Sequence, residues 1–260
     1  MERLERPDGV EIAWEARGEG RPVVLANQFI GITDLYRDLI DDLATDHRVI
    51  VYDPRGTGES TRRGPYDLAT DVTDLESIVE LAQSPVLLLG VSDGNNRAVR
   101  LAARRPELVD AVVGIAASTL GQTPTGSDAL AGSSPVLSAF ITLMASDVRA
   151  GVHAMMTAGG SQMSEERLRR RIDESADYTG AEAASNRLRS WVQDDSTAEA
   201  RALGDRLWIL AFGGNPWFPV DQAERMRHAL PEARVLEVEN GPISRPDIAA
   251  AVVRDITARD

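Results

Sequence analysis

Val86-Leu87-Leu88-Leu89-Gly90-Val91-Ser92-Asp93-Gly94 runs from an unbroken apolar segment into G-x-S-x-G, and a helical pattern follows from Asn95 to Arg104. An apolar run of this length reads as a strand covered on both faces. Glycines two residues either side of a serine let the chain turn sharply at the strand end and project the hydroxyl, the layout of a nucleophile elbow. A plain turn serine or helix cap is the bland alternative for Ser92. The buried run before it and the glycines around it favour the elbow.

Outward from this stretch the same alternation repeats. Val10 to Glu15 alternates apolar and polar residues, and Pro22 to Ala26, Arg48 to Tyr52, Ala111 to Ala116, Leu207 to Phe212 and Arg234 to Val238 read as further strands. Helical patterns cover about Leu35 to Ala44, Asp71 to Ala82, Val220 to Ala229 and Asp247 to Thr257. Strands alternating with helices imply crossover connections and a mostly parallel sheet, so the fold class is α/β. The alternation fails between about Leu120 and Ala202, where a Gly, Ser, Thr and Pro-rich stretch gives way to helices with no strand between them. The expected organisation is an α/β core over 1–119 and 203–260 with a helical cap over 120–202, placed over the carboxyl ends of the strands. In that cap Val136, Leu137, Phe140, Ile141, Leu143 and Met144 make an apolar helix face, read as a pocket roof or as packing on neighbouring helices.

Composition narrows the function classes. The 260 residues are 43% hydrophobic and carry a formal charge of −13, which repels nucleic acid and anionic lipid. The densest basic cluster, Arg167 to Arg171, is flanked by Glu165, Glu166, Asp173 and Glu174 and reads as a solvated helix face. There is no cysteine, hence no disulfide, thiolate metal site or cysteine nucleophile. No apolar run approaches the length of a membrane span, and Met1 to Arg6 lack the apolar core of a signal peptide. The expectation is a cytoplasmic protein with a small-molecule partner and neither metal nor cofactor.

In order and spacing the motifs resemble the α/β-hydrolase family, in particular its small members with a helical cap. Gly9 to Trp14 resembles the opening hairpin, Asp53-Pro-Arg-Gly-Thr-Gly-Glu-Ser60 the D-x-R-G-x-G-x-S loop, Gly90 to Gly94 the elbow and Ala102 to Val109 the segment leading to the next strand. The resemblance implies a serine relay, and three departures bear on it. Asn27 and Gln28 stand where the family's His-Gly helps to supply an oxyanion amide, the second donor being the amide of Asp93. Asn215, in Phe212-Gly-Gly-Asn-Pro-Trp-Phe-Pro219, stands at the position of the acid. Val238-Glu-Asn-Gly-Pro-Ile-Ser-Arg-Pro246 has no histidine where the base belongs.

Of the three histidines, His47 opens a strand, His228 lies near a helix end, and His153 in the cap is the one candidate to reach over the site. The replacements share a chemical direction, since carboxamides hydrogen-bond at all ordinary pH values but do not relay protons. Ser92, Asn215 and His153 are thus the candidate catalytic positions. Asn27, Gln28, Asp93, Asn95, Asn96, Trp217, Phe140 and Met144 are the candidate binding residues, with Asn95 and Asn96 equally readable as satisfying loop backbone. Three functions compete: a lyase, isomerase or cyclase acting by orientation and hydrogen bonding; an ester, lactone or thioester hydrolase using Ser92; and a non-catalytic ligand-binding protein.

Overall fold

The computed structural model describes residues 1–31, 34–117, 119, 135–158, 164–213, 221–238 and 245–258. Its strands are β1 (Glu2–Glu5), β2 (Glu11–Arg17), β3 (Arg21–Ala26), β4 (His47–Tyr52), β5 (Val86–Val91), β6 (Val109–Ile115), β7 (Leu207–Phe212) and β8 (Arg234–Val238). They form one sheet in the order β1-β2-β4-β3-β5-β6-β7-β8. β1 and β2 pair antiparallel, β2 is antiparallel to β4, and the remaining pairs are parallel. The expected strands are all present; β1, four residues at the sheet edge with a mostly exposed side, is the one that the apolar pattern did not reveal.

The helices between the strands are α1 (Asp34–Leu43), α2 (Leu68–Glu80) and α3 (Gly94–Arg104), and the last two of the chain are α9 (Gln222–Ala229) and α10 (Pro246–Thr257). Asp67 starts α2 by accepting from the Thr70 N–H, the ordinary way of satisfying an orphan amide in a first turn. Between β6 and β7 lie α4 (Pro135–Ser146), α5 (Val148–Ala158), α6 (Glu165–Tyr178), α7 (Ala181–Gln193) and α8 (Thr197–Leu203), with no strand among the described residues of that stretch. Most of Arg167 to Arg171 is exposed on α6, as the charge pattern predicts.

Period-two alternation within apolar strands produces two cores. Val24, Ile50, Leu88, Val112 and Ile209 face α2, α3, α8 and α9. Leu25, Val51, Leu87, Leu89, Val113 and Leu210 face α1 and α10. Both faces are covered, which is why these strands read as continuous apolar runs. From β3 the chain passes to β4 on one side, then crosses to β5 on the other. The carboxyl ends of β3 and β5 therefore flank the switch point at which open α/β sheets bind ligands. Ala26 pairs with Gly90 there, bringing the Asn27–Gln28 loop beside Ser92.

Backbone hydrogen bonds tie the helical layer to the loop after β4. The Gly58 N–H donates to the Tyr178 carbonyl at 2.6 Å and the Gly180 N–H to the Gly56 carbonyl at 3.1 Å, around a bridge between Thr57 and Thr179. An apolar cluster also gathers Phe29 and Ile30 with Phe140, Met144, Leu188 and Trp191.

Candidate functional site

Ser92 sits between β5 and α3 with φ of +50°, a left-handed conformation that a side chain rarely adopts. Its N–H donates to the Ile115 carbonyl at 3.0 Å, and its carbonyl accepts from the Asn95 N–H at 3.0 Å, so the turn is held on both sides. The flanking glycines are required by space. A Cβ on Gly90 would stand 2.5 Å from Asn95 Cα, and one on Gly94 would stand 2.0 Å from the Ala26 carbonyl oxygen. Ser92 is half-buried, and the strained turn is the elbow that the G-x-S-x-G pattern predicts.

The loop after β3 is bonded inward. Asn27 Oδ1 accepts from the Gln28 N–H at 2.8 Å, and Gln28 Nε2 donates to the Gly31 carbonyl at 3.3 Å. The Phe29 N–H donates to Asp93 Oδ1 at 3.0 Å. The two carboxamides expected to face a ligand thus serve their own loop, with Asn27 Nδ2 left without a partner. Asn95 and Asn96 behave in the opposite way to the loop-backbone alternative. Asn95 is fully buried with neither side-chain atom bonded, while Asn96 Nδ2 donates to Asp194 Oδ2 at 2.6 Å.

A buried ionic chain extends from Asp93 and was not foreseen in the sequence. Asp93 Oδ2 accepts from Arg97 Nη1 at 3.0 Å, Arg97 Nη2 donates to the Asn27 carbonyl, and Arg97 Nη1 lies 3.6 Å from Asp71 Oδ2. Asp71 takes two hydrogen bonds from Arg187 on α7, each 2.7 Å. Burial pushes the Asp93 carboxyl above the usual carboxylate range even though Arg97 and the Phe29 N–H oppose it. Burial acts on Asp71 in the same direction, but Arg187 and Arg97 outweigh it and hold that carboxyl below its ordinary value. A small cleft lies among Asp71, Asp93, Asn96, Arg97, Arg187 and Asp194, with room for about one water. The Asp93–Arg97 pair has a local signal, four-residue spacing on a helix. Arg187 lies 116 residues from Asp71, and no local pattern announces it.

The D-x-R-G loop is tied into the fold by its own hydrogen bonds and ion pairs, and Arg55 pairs with carboxylates other than Asp53. Asp53 Oδ2 accepts from the Glu59 N–H at 2.9 Å, the Ala13 N–H donates to Ser60 Oγ at 2.8 Å, and Arg55 pairs with Asp74 and Asp8. Tyr178, half-buried with its hydroxyl against this loop, has that hydroxyl raised in pKa by burial and by the nearby Asp53 charge.

The histidines are dispersed. His47 is buried at the amino end of β4 beside Asp46, His153 is exposed on α5, and His228 is exposed on α9. Phe140 and Met144 are buried in the apolar cluster, and Ile141 packs against it. The side chains of Val136 and Leu137 lie outside the described residues, as do Asn215, Trp217 and the whole 239–244 stretch. Among the described residues no group of three His, Asp or Glu is placed to hold a metal, and no helix is long and apolar enough to cross a membrane.

A strained serine at the switch point of this strand order is the arrangement of one family, and the family model described as alpha/beta hydrolase fold matches residues 21–242. The chain belongs to the alpha/beta hydrolase fold family. It is similar to an esterase from Exiguobacterium antarcticum, at 18% identity and a TM-score of 0.83 over 98% of each chain. It is also similar to an enol-lactonase from Burkholderia xenovorans, at 21% identity and a TM-score of 0.77 over 96% of this chain and 98% of that one. A bromoperoxidase from Bacillus anthracis gives 20% identity and a TM-score of 0.77, covering 96% of this chain and 94% of its own. At these identities the likeness is one of fold. A stretch of 101 residues is 31% identical to a protein named for carbamate hydrolysis, RutD of Azorhizobium caulinodans. That match spans only 38% of this chain and 38% of RutD.

Proposed function

We propose that this member of the alpha/beta hydrolase fold family is an enzyme that binds a small carbonyl- or hydroxyl-bearing molecule under a helical cap, without using Ser92 as a triad nucleophile. Orientation and hydrogen bonding then do the chemistry, in a step of the lyase, isomerase or cyclase type. The observation that carries this reading is the placement of the three histidines. His153 and His228 are exposed, and His47 lies at the opposite end of the parallel strands from the elbow. A six-residue strand is about 17–20 Å long, far beyond hydrogen-bond reach. A serine without a base stays protonated near neutral pH.

The test is p-nitrophenyl acetate hydrolysis by wild type and Ser92→Ala. Weak turnover that changes by less than about tenfold is the expected result, and a loss of about a thousandfold or more, the scale of a working triad, defeats the reading.

One observation favours a second reading, hydrolysis of an ester, lactone, thioester or carbamate through Ser92. Ser92 keeps a left-handed backbone at the switch point, and strain of that kind is retained where function uses it. The partial match to RutD points the same way. Catalysis of either kind separates from mere binding by turnover of a ligand first found by its effect on the melting temperature.

A further inference from the structure

Two guanidiniums and a carboxamide line the cleft between α2, α3 and α7, and each leaves one polar atom unbonded. Arg97 donates through Nη1 to Asp93 and through Nη2 to the Asn27 carbonyl, which leaves Nε. Arg187 donates through Nε and Nη2 to Asp71, and through Nη2 also to the Arg55 carbonyl at 2.8 Å, which leaves Nη1. The Asn96 amide is oriented by a carboxylate, a group that can only accept. Its Nδ2 donates to Asp194 Oδ2, so Oδ1 is the atom left over. All three residues are at most 3% exposed. Two donors and one acceptor buried without a partner among the described residues are costly together, and each calls for a hydrogen bond.

Size and charge select what can make those bonds. The cleft has room for about one water. Its ionic lining is Asp71, Asp93 and Asp194 against Arg97 and Arg187, so an anion such as chloride adds to a negative surplus and meets Asn96 Oδ1 without a proton to offer. A cation meets two guanidinium donors. A neutral molecule that both accepts and donates satisfies all three atoms at once.

We propose that this cleft is a binding site for one internal water, which accepts from Arg97 Nε and Arg187 Nη1 and donates to Asn96 Oδ1. Three hydrogen bonds are about the usual complement of a buried water. Arg97 Nη1 and Arg187 Nε lie 3.6 and 2.7 Å from the same oxygen, Asp71 Oδ2, so two like charges are held close together away from solvent. A water oxygen accepting from both sets negative partial charge between them, where low dielectric makes it count. Arg97 belongs to α3 and Arg187 to α7, so the water joins the sheet layer to the helical layer.

The experiment uses the wild-type protein, crystallised without ammonium salts, with one crystal free of halide and a second soaked in sodium bromide. The expected result in both is an oxygen peak about 2.7–3.2 Å from Arg97 Nε, Arg187 Nη1 and Asn96 Oδ1, with no anomalous bromine signal. A bromine peak at that point makes the cleft an anion site and overturns the proposal. So does the lack of any peak bonded to both guanidiniums. In solution, the Arg97 Nε–H of ¹⁵N-labelled protein is expected to show a cross-peak to water with the sign of a molecule that tumbles with the protein, NOE and ROE spectra being compared to set proton exchange apart. A cross-peak with the sign of freely diffusing water, or none, overturns it equally.

Discussion

Around the sheet the interior is aliphatic, with Leu87, Leu88, Leu89, Val112 and Val113 alternating between two apolar cores. Where α7 meets α2 and α3 it is ionic, with Asp71, Asp93, Arg97 and Arg187 at no more than 5% exposure. The first region is stabilised by area removed from water and tolerates any sequence that keeps volume and alternation. The second depends on geometry: each buried charge is costly alone and is compensated only by partners at hydrogen-bond distance. It also joins elements far apart in the chain, holding α7 against α2 and α3.

That contrast is open to direct attack. Asp71→Ala leaves Arg187 without its bidentate partner and Arg97 with one carboxylate fewer, and urea unfolding is expected to show a loss of about 4 kcal/mol. Leu88→Ala, fully buried in the middle of β5, leaves a cavity and is expected to lose about 3 kcal/mol in the same measurement. If the leucine proves the more damaging of the two, the ionic region contributes far less than its burial implies.

The smallest effect concerns pH and separates the two carboxylates. Asp93 has its pKa raised in the folded protein, so its contribution to stability is full below about pH 4 and is lost as the pH rises through the raised value. Asp71 has its pKa lowered, so its contribution is full above about pH 4 and is lost as the pH falls. Asp93→Asn removes only the first dependence. The stability of this variant relative to wild type is expected to rise between about pH 4 and about pH 7, and a flat or falling difference contradicts the assignment.

Much of this was legible in the chain. The elbow was readable because Gly90, Ser92 and Gly94 are adjacent, and steric demands of a tight turn act locally. That 239–244 contains no histidine was readable too. The role of the carboxamides was not. Asn27 and Gln28 were expected to face a ligand, but their backbone neighbours offered nearer partners, and a short loop satisfies its own amides first.

Sequence by itself determined the strand and helix alternation, the parallel sheet, the strained serine at a strand end and the absence of cysteine chemistry, because periodicity, small residues at a turn and composition are properties of neighbouring residues. Only the tertiary structure decided that the Phe29 amide donates to Asp93, that Arg97 pairs with the same carboxylate, and that Arg187 reaches Asp71 across 116 residues of chain. Which charge finds which partner depends on distances that exist only once the sheet has brought β3 beside β5 and α7 has settled on α2.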